Sequence, residues 1–337
     1  MVVESAIAWV RIMRLQFYPM TFIAYSLGVG LAISQGSVFS HGRFWLGYTF
    51  LFLLELCTIL ANELYDQPTD RINANASPFN GGSRVLVEEK LKPETVRKAI
   101  VVLLCGLVGI SFVILLLSST PSRFWVGLLL VTGMVLGLGY TVPPIRFCYR
   151  GMGELVVGIT HSSYVIICGF LFQAGSLGDP RPWVISIPLF FAVLAAITLA
   201  GIPDFRADET VGKKTLSVIF GQKSACLLAM VFATVAVAMA GLVLQFMVLE
   251  RWGYVLIMVA IPFGVIGAVM GHYILGYDLT FISLFGLVAL SGVVVNDSVV
   301  LLDYLNRQRL DGKALIESAL LAVRRRFRPI LLTTLST

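Results

Sequence analysis

Two pairs of aspartates share one spacing and lie far apart in the chain. Asp66 and Asp70 are four residues apart, and so are Asp204 and Asp208. Asn62 lies four residues before Asp66, so the first motif extends to a third polar side chain. Residues four apart on a helix lie on one face, turned by only about 40° at each step. We therefore expect each motif to present its polar side chains in one direction.

Carboxylates at this spacing favour a metal ion and a phosphate group as ligands. Acidic side chains held close together repel one another and are costly to desolvate, so a positive charge should compensate them. Mg²⁺ is typically bound by one or two carboxylates together with substrate phosphates, and Arg or Lys side chains hold further phosphate oxygens. Basic residues lie near both motifs: Arg71, Arg84, Arg206, Lys213 and Lys214. The pattern predicts a Mg²⁺-dependent diphosphate site whose metal ligands are Asn62, Asp66, Asp70, Asp204 and Asp208.

The composition places both motifs in a membrane protein. Of the 337 residues, 58% are hydrophobic and only 13% are charged, and the mean hydropathy is +0.89. A soluble domain carries about a quarter charged residues. The apolar blocks are solid runs long enough to span a bilayer as helices, without the alternation of a membrane β-barrel. We predict an all-α, polytopic transmembrane helical bundle of about nine spans, roughly 15–35, 44–63, 98–118, 124–141, 154–175, 183–203, 224–247, 253–275 and 281–304.

The basic residues predict the orientation of this bundle. They are concentrated near the N-terminus and in the connections 64–97, 142–152 and 204–223. Basic loops tend to stay on the cytoplasmic side, which accounts for the net charge of +6 without a nucleic-acid partner. Both motifs then lie at one depth on one side, which disfavours the alternative of two ordinary solvated helix ends. We expect an integral protein of a bacterial or archaeal cytoplasmic membrane, with the site loops in the cytoplasm.

Residues 1 to about 250 resemble the UbiA-type family of intramembrane prenyltransferases. The resemblance is carried by the two motifs, the segments that follow them and one further connection: NELYDQPTD (62–70), RINANASPFNGGSRVL (71–86), LGYTVPPIRFCYRGMGELVVG (138–158), DFRAD (204–208) and ETVGKKTLSVIFG (209–221). The chain departs from the family pattern at two points. Glu63 stands where many members have Asp, and Pro144 stands at the Lys of the family's Tyr-x-x-x-Lys element, with Arg146 as the candidate replacement.

The resemblance implies a prenyltransferase. A polyprenyl diphosphate would lie with its head at the two motifs, and its prenyl group would pass to a lipophilic, often aromatic, acceptor surrounded by membrane lipid. The stretches 81–86 and 212–216 resemble quinone-pathway members that act on dihydroxynaphthoate-like acceptors, as in menaquinone synthesis. The implied catalytic residues are Asp66, Asp70, Asp204, Asp208 and Tyr140, although Tyr140 could equally be an interfacial tyrosine. The implied diphosphate-binding residues are Asn62, Arg71, Arg84, Arg146, Lys213 and Lys214.

The last part of the chain resembles a different family. Residues 261–307 are similar to two consecutive spans of a resistance-nodulation-division efflux transporter, and residues 311–337 to its amphipathic helix and the start of the next span. We therefore expect two domains, a UbiA-like domain of about seven spans at 1–250 and a transporter fragment at 251–337. A non-catalytic membrane fusion or a transporter fragment remains the alternative function, but the intact pair of aspartate motifs favours the prenyltransferase. Asp297, in the middle of a span, fits either a proton relay or an inherited residue bonded to its neighbours.

Two polar residues inside the spans have no place in this scheme. Glu55 lies two turns before Asn62, and it either bonds a neighbouring helix or lines the acceptor pocket. The sequence leaves both interpretations open. His161 is expected to make a buried polar contact.

Overall fold

The computed structural model describes residues 2–74, 81–248, 271, 276, 301, 304, 305, 307–309 and 311–336. Within these ranges every regular element is helical, and no strand is present, so the all-α prediction is confirmed. The chain divides into two compact units, Met1–Ala236 and Val237–Thr337. The predicted boundary at 250 remains a prediction.

The described helices follow one another along the chain, and short 3₁₀ segments at Leu15–Phe17 and Phe147–Tyr149 lie between some of them. In chain order the α-helices are α1 (Val2–Met13), α2 (Tyr18–Ser34), α3 (His41–Tyr65), α4 (Gln67–Ile72), α5 (Pro93–Leu117), α6 (Thr120–Leu138), α7 (Gly153–Ile159), α8 (Val165–Ala174), α9 (Arg181–Ala200), α10 (Phe205–Thr210), α11 (Leu216–Phe220), α12 (Gln222–Val248) and α13 (Leu315–Ser336).

Seven stretches of the described residues are long and apolar enough to cross a membrane. The first comprises α1 and α2, and the fifth comprises α7, a π-helical segment and α8. Their bounds agree with the first seven predicted spans to within five residues, apart from the N-terminal extension by α1 and the seventh span, which ends seven residues before the predicted 247: Glu4–Ser34, His41–Tyr65, Pro93–Leu117, Thr120–Leu138, Gly153–Ala174, Arg181–Ala200 and Gln222–Ala240. The predicted spans 253–275 and 281–304 lie outside the described residues except at 271, 301 and 304, and Asp297 also lies outside them.

Helix starts are marked by proline. α2, α4, α5, α6 and α9 each have Pro in the first or second position, where the missing N–H has no helical partner to lose. The outer faces are apolar, as a lipid-facing surface requires. Val102 is 71% exposed, and Phe112 and Phe124 are 62% and 70% exposed.

The close contact of α2 and α8 brings the first and fifth spans together. A Cβ on Gly28 would lie 1.9 Å from the Ile166 carbonyl oxygen, and a Cβ on Gly169 would lie 2.2 Å from the Tyr25 carbonyl oxygen. Only glycine allows the two backbones to approach this closely, as in other membrane helix pairs. The π-helical segment Thr160–Tyr164, which precedes α8, is held beside α2 as a result.

Both aspartate motifs lie on short helices that follow the spans. The expectation of one continuous helix through 62–70 needs correction, because α3 ends at Tyr65 and α4 begins at Gln67, with Pro68 in its first turn. The backbone spacing stays helical, since the Asp66 N–H donates to the Asn62 carbonyl at 2.8 Å and the Asp70 N–H to the Asp66 carbonyl at 2.9 Å.

The second motif has the same arrangement. α9 ends at Ala200, α10 begins at Phe205, and the Asp208 N–H donates to the Asp204 carbonyl at 2.9 Å. α10 packs against α4, so the two motifs face each other.

Candidate active site

Lys213 joins the two aspartate motifs. Its Nζ lies 2.9 Å from Oδ2 of Asp66 and 3.6 Å from Oδ1 of Asp208. Asp66 and Asp208 are each only 5% exposed, and the lysine side chain is 11% exposed. One ammonium group therefore compensates two buried carboxylates from helices far apart in sequence, and the motifs form a single site.

A second link runs in the opposite direction, from the loop after the first motif to the second motif. Nδ2 of Asn73 donates a hydrogen bond to Oδ1 of Asp204 at 2.7 Å, and the Gly81 N–H donates to Oδ2 at 3.3 Å. Asp204 is half-buried. Each motif thus receives donors from the loop that follows the other.

The segment 81–83 lies directly against Asp70. A Cβ on Gly82, whose φ is +70°, would lie 2.1 Å from Oδ2 of Asp70, so glycine is needed both for the backbone conformation and for the approach. Glu63 anchors the segment, because its carboxylate accepts hydrogen bonds from the N–H of Ser83 at 2.7 Å and from the Ser83 hydroxyl. Nη1 of Arg14 lies 3.9 Å from the same carboxylate.

The Arg84 side chain supports the first motif by donating hydrogen bonds to backbone carbonyls at the end of that motif. Its Nη1 donates to the carbonyls of Asp70 at 3.0 Å and Asn73 at 3.1 Å, at the C-terminal end of α4. A cation is favourable at that end of a helix. Arg84, which is predicted to bind the diphosphate, therefore uses Nη1 to bind the protein backbone.

The connection 139–152 supplies the third side of the site. The Arg146 guanidinium lies 3.7 Å from the ring centre of Tyr149, and Lys213 Nζ lies 5.9 Å from the same centre. The N–H of Lys214 donates to the Cys148 carbonyl at 3.3 Å, which ties this connection to the second motif's loop. Tyr140 is close enough to Lys213 and Asp66 for their charges to act on its phenol, whose pKa is raised chiefly by burial.

Burial shifts the pKa values of the charged groups in the site. It raises the pKa of Asp70 to about 7, with further increases from Glu63 and Asp66, and it raises the pKa of Asp208 to about 6. Burial alone would lower the pKa of Lys213, but the carboxylates of Asp66 and Asp208 outweigh it and raise the pKa above its ordinary value. Lys213 is therefore a permanent cation in a site where the pKa values of Asp70 and Asp208 are raised.

The residues present fit a magnesium ion that is shared with a phosphate. Oδ1 of Asn62 and Oδ1 of Asp66 are buried and have no hydrogen-bond partner among the described residues. In the described part of the chain, no three His, Cys, Asp or Glu side chains converge as a site for a metal held by protein alone would require. Mg²⁺ commonly takes its remaining ligands from substrate phosphates and water, so two carboxylates and an amide oxygen suit it.

The predicted site residues differ in how closely the structure gathers them. Asp66, Asp70, Asp204, Asp208, Lys213 and Tyr140 lie together, with Asn62 at the last turn of α3 and Arg146 beside Tyr149. Arg71 and Lys214 are exposed at the edge of the site.

Sequence reasoning missed Asn73, the Glu63–Ser83 anchor and the ring of Tyr149. Of these, only Asn73 had a sequence signal that could have identified it, because it lies three residues after Asp70 and would share its helix face.

The fold and the site define a polytopic helical membrane protein with a polar centre built from two aspartate motifs. The sequence model of the UbiA prenyltransferase family matches residues 22–278, and the chain belongs to this family. The match extends past the boundary predicted at residue 250.

Individual relatives agree with this assignment. The 1,4-dihydroxy-2-naphthoate octaprenyltransferase of Bacillus subtilis strain 168 is 30% identical over 192 residues, which are 57% of this chain and 59% of that protein. The chain thus matches about three fifths of this relative's length. A UbiA homolog from Archaeoglobus fulgidus, solved with GPP and Mg²⁺, has a similar fold, with a TM-score of 0.60, 15% identity, and coverage of 87% of this chain and 98% of that chain.

A third relative matches only a short part of the chain. The swarming motility protein SwrC of Bacillus subtilis strain 168 is 36% identical over 81 residues, which are 24% of this chain and 8% of that protein. A match this short says nothing about the activity of the whole chain.

Proposed function

We propose that the chain transfers a prenyl group from a polyprenyl diphosphate to an aromatic acceptor, with Mg²⁺ as the metal. The observation that carries the proposal is the contact of Lys213 with both Asp66 and Asp208, which unites the two motifs around one cation. Membership of the UbiA family and the 30% identity to a dihydroxynaphthoate octaprenyltransferase support it. By this analogy the acceptor is a dihydroxynaphthoate-like ring, as in menaquinone synthesis.

The described side chains suit the binding of a diphosphate head. Mg²⁺, held by Asp66, Asp208 and Asn62 together with phosphate oxygens, would supply charge that stabilises the departing diphosphate. Lys213 and Arg146 lie where they could take the remaining phosphate oxygens. Asp70 and Asp204 complete the acidic lining, and the loop at Gly82 closes against Asp70. These roles for the site residues are part of the proposal.

The chain's own side chains also prepare the site for a carbocation-like prenyl group. Tyr140 lies near Lys213 and Asp66, and we assign its ring to face the positive allylic carbon as the C–O bond lengthens, whereas the Tyr149 ring packs against the Arg146 guanidinium. The apolar spans below the site exclude water, which would otherwise capture that carbon. We place the loops of the site on the cytoplasmic side, following the distribution of basic residues.

Product analysis tests the proposal. The full chain, purified in detergent or nanodiscs, is incubated with Mg²⁺, a labelled polyprenyl diphosphate and a panel of acceptors that includes 1,4-dihydroxy-2-naphthoate and 4-hydroxybenzoate. We expect a prenylated naphthalene product and inorganic diphosphate, and no product when Mg²⁺ is chelated. Absence of transfer to every acceptor, from protein that still binds the diphosphate, would contradict the proposal.

For the C-terminal part we infer an origin in a second family, as the resemblance to efflux transporters implies. We expect no drug efflux when the chain is expressed in a host whose own pumps are deleted. Increased drug resistance in that host, abolished by Asp297→Asn, would favour the transporter function instead.

A further inference from the structure

Glu55 is a carboxylate inside a membrane span, away from the aspartate motifs. It lies in α3 seven residues before Asn62. Seven residues are nearly two helical turns, so Glu55 and Asn62 share a face of α3 and lie about 10 Å apart along its axis. Ionisable groups at such positions are costly in hydrocarbon, and where they occur they usually serve a ligand, an ion or a proton.

Polar groups from three elements surround Glu55. Tyr18 of α2, Tyr48 of α3 and His161 of the π-helical segment are its electrostatic neighbours, and the Thr21 hydroxyl of α2 is a hydrogen-bonding neighbour. Both carboxylate oxygens are buried, and neither has a hydrogen bond of normal geometry among the described residues. The buried Tyr18 hydroxyl also has no partner there. A purely structural polar contact would satisfy these groups, because leaving them unpaired costs more than the bond contributes.

The neighbouring rings form an aromatic wall next to the carboxylate. The Phe52 ring lies between Tyr18, at a centroid distance of 4.8 Å, and Tyr48, at 6.4 Å. Phe52 precedes Glu55 by three residues, so both lie on one side of α3. A flat aromatic ligand is the natural occupant of such a wall, because offset and edge-on ring contacts stabilise it.

His161 is oriented by the π-helical segment. Its Nδ1 lies 3.2 Å from the Val157 carbonyl and 3.1 Å from the Thr160 hydroxyl, so this ring nitrogen contacts the segment's own turn. Nε2 is then the ring nitrogen left to face other groups. π-Helical segments of this kind often mark functional positions.

We propose that Glu55, with Tyr18 and His161, binds a hydroxyl group of the aromatic acceptor. This inference rests on the proposed function and names the part of the molecule that holds the acceptor. The acceptor hydroxyl donates to the Glu55 carboxylate, and its ring packs on the wall of Tyr18, Phe52 and Tyr48. The depth agrees with this placement. The ring carbon that takes the prenyl group must lie beside the diphosphate near Asn62, so the remainder of a two-ring acceptor extends along the same face toward Glu55.

The test compares Glu55→Leu with Glu55→Gln in the full chain. Leu removes both acceptor oxygens, and we expect the KM for 1,4-dihydroxy-2-naphthoate to rise about tenfold to a hundredfold, as for a lost hydrogen bond to a charged group. Gln keeps one oxygen and should lie between wild type and Leu. The KM for the polyprenyl diphosphate should change less than twofold. Wild type should also prefer the dihydroxy acceptor over its 4-methyl ether, and Glu55→Leu should lose that preference.

Thermal unfolding separates this role from a structural one. Removing a carboxylate that has no partner should leave the Tm of Glu55→Leu unchanged or raised, whereas a structural role predicts a lower Tm and equal changes in both KM values. Glu88→Gln is the matched control, because Glu88 is an exposed glutamate paired with Arg11 and Lys90. An unchanged acceptor KM in Glu55→Leu overturns the inference.

Two further measurements keep the inference testable. If Glu55→Leu does not fold, Tyr18→Phe, which removes only a hydroxyl, should raise the acceptor KM severalfold, and no rise overturns the inference. If the wild-type chain transfers no prenyl group, the proposed function fails. Equilibrium binding of 1,4-dihydroxy-2-naphthoate to wild type and Glu55→Leu in nanodiscs then decides the role of Glu55, and equal affinities overturn it.

Discussion

The two aspartate motifs share a spacing but differ in how they are supported. The first motif is held by its own loop, where Glu63 anchors Ser83, Gly82 lies against Asp70, and Arg84 binds two backbone carbonyls. In the loop after the second motif, the buried cation Lys213 contacts Asp66 of the first motif. In return Asp204 of the second motif receives its hydrogen bonds from the loop of the first.

This difference indicates a division of roles within one site. The first motif is a buried acidic platform held by its own loop, whereas Asp204 of the second motif receives hydrogen bonds from the loop of the first. Substitutions within the first motif should therefore cost more than the matching substitutions in the second. Substitutions at the crossing contacts should be non-additive with those at their partners, as expected for residues that act as a unit.

The largest expected effect is at Asp66, the carboxylate of the first motif that Lys213 contacts. We expect Asp66→Asn to lower kcat by roughly a thousandfold or more, because it removes a metal ligand that stabilises the leaving diphosphate. The matching change at the half-buried Asp204 should cost about a hundredfold. Steady-state prenyl transfer at saturating Mg²⁺ measures both, and equal losses would show that the two motifs contribute alike.

Lys213 should give the next largest effect. Lys213→Met leaves two buried carboxylates without their cation, and we expect kcat/KM to fall by roughly a hundredfold. Lys214→Met is the matched control, because Lys214 is the exposed neighbour, and its loss should cost about threefold or less. A double-mutant cycle of Lys213→Met with Asp66→Asn should be strongly non-additive. Additive effects would mean that the lysine does not act through Asp66.

The sequence predicted the spans far better than the contacts between the motifs. Spans follow from local hydropathy, which is why the first seven agree with the structure. The end of α3 at Tyr65 depended on one local signal, Pro68, which the regular motif spacing concealed. Lys213 and Lys214 are adjacent and chemically alike, so only the path of the loop after α10 decides which one is buried. The bond from Asn73 to Asp204 joins segments far apart in the chain, and no local pattern encodes it.

The pH dependence should sharpen the comparison between the motifs. Burial raises the pKa of Asp70 to about 7 and that of Asp208 to about 6. The ionised Asp208 would bind Mg²⁺ and the ionised Asp70 would add negative charge to the lining, so protons compete with the metal as the pH falls, and apparent Mg²⁺ affinity is lost from about pH 8 downward. We expect the Mg²⁺ concentration for half-maximal rate to rise about twentyfold between pH 8 and pH 6, about tenfold from the carboxyl of pKa about 7 and about twofold from the one of pKa about 6.

Variants assign this pH dependence to one motif or the other. Asp70→Asn should remove the part of the rise near pH 7, and Asp208→Asn the part near pH 6. Mg²⁺ titrations of the transfer rate at each pH measure the change. A half-saturating concentration that stays constant from pH 8 to pH 6 in wild type would show that neither carboxyl limits metal binding.

The smallest expected effect lies at the return contact from Asn73 to Asp204. Asn73→Ala removes a 2.7 Å hydrogen bond to a carboxylate that keeps the Gly81 N–H as a donor, so the second motif should loosen without losing its ligand. We expect the KM for the diphosphate to rise about fivefold, less than the tenfold or more of a fully lost hydrogen bond to a charged group because the Gly81 donor remains, with kcat little changed. Gln67→Ala is the control, since the Gln67 side chain supports the same loop by donating a hydrogen bond to the Leu86 carbonyl. If both variants raised the KM equally, general loosening of the loop would explain the effect. A rise confined to Asn73→Ala, and absent when Asp204 is already Asn, would show that the first motif's loop positions the second motif's carboxylate.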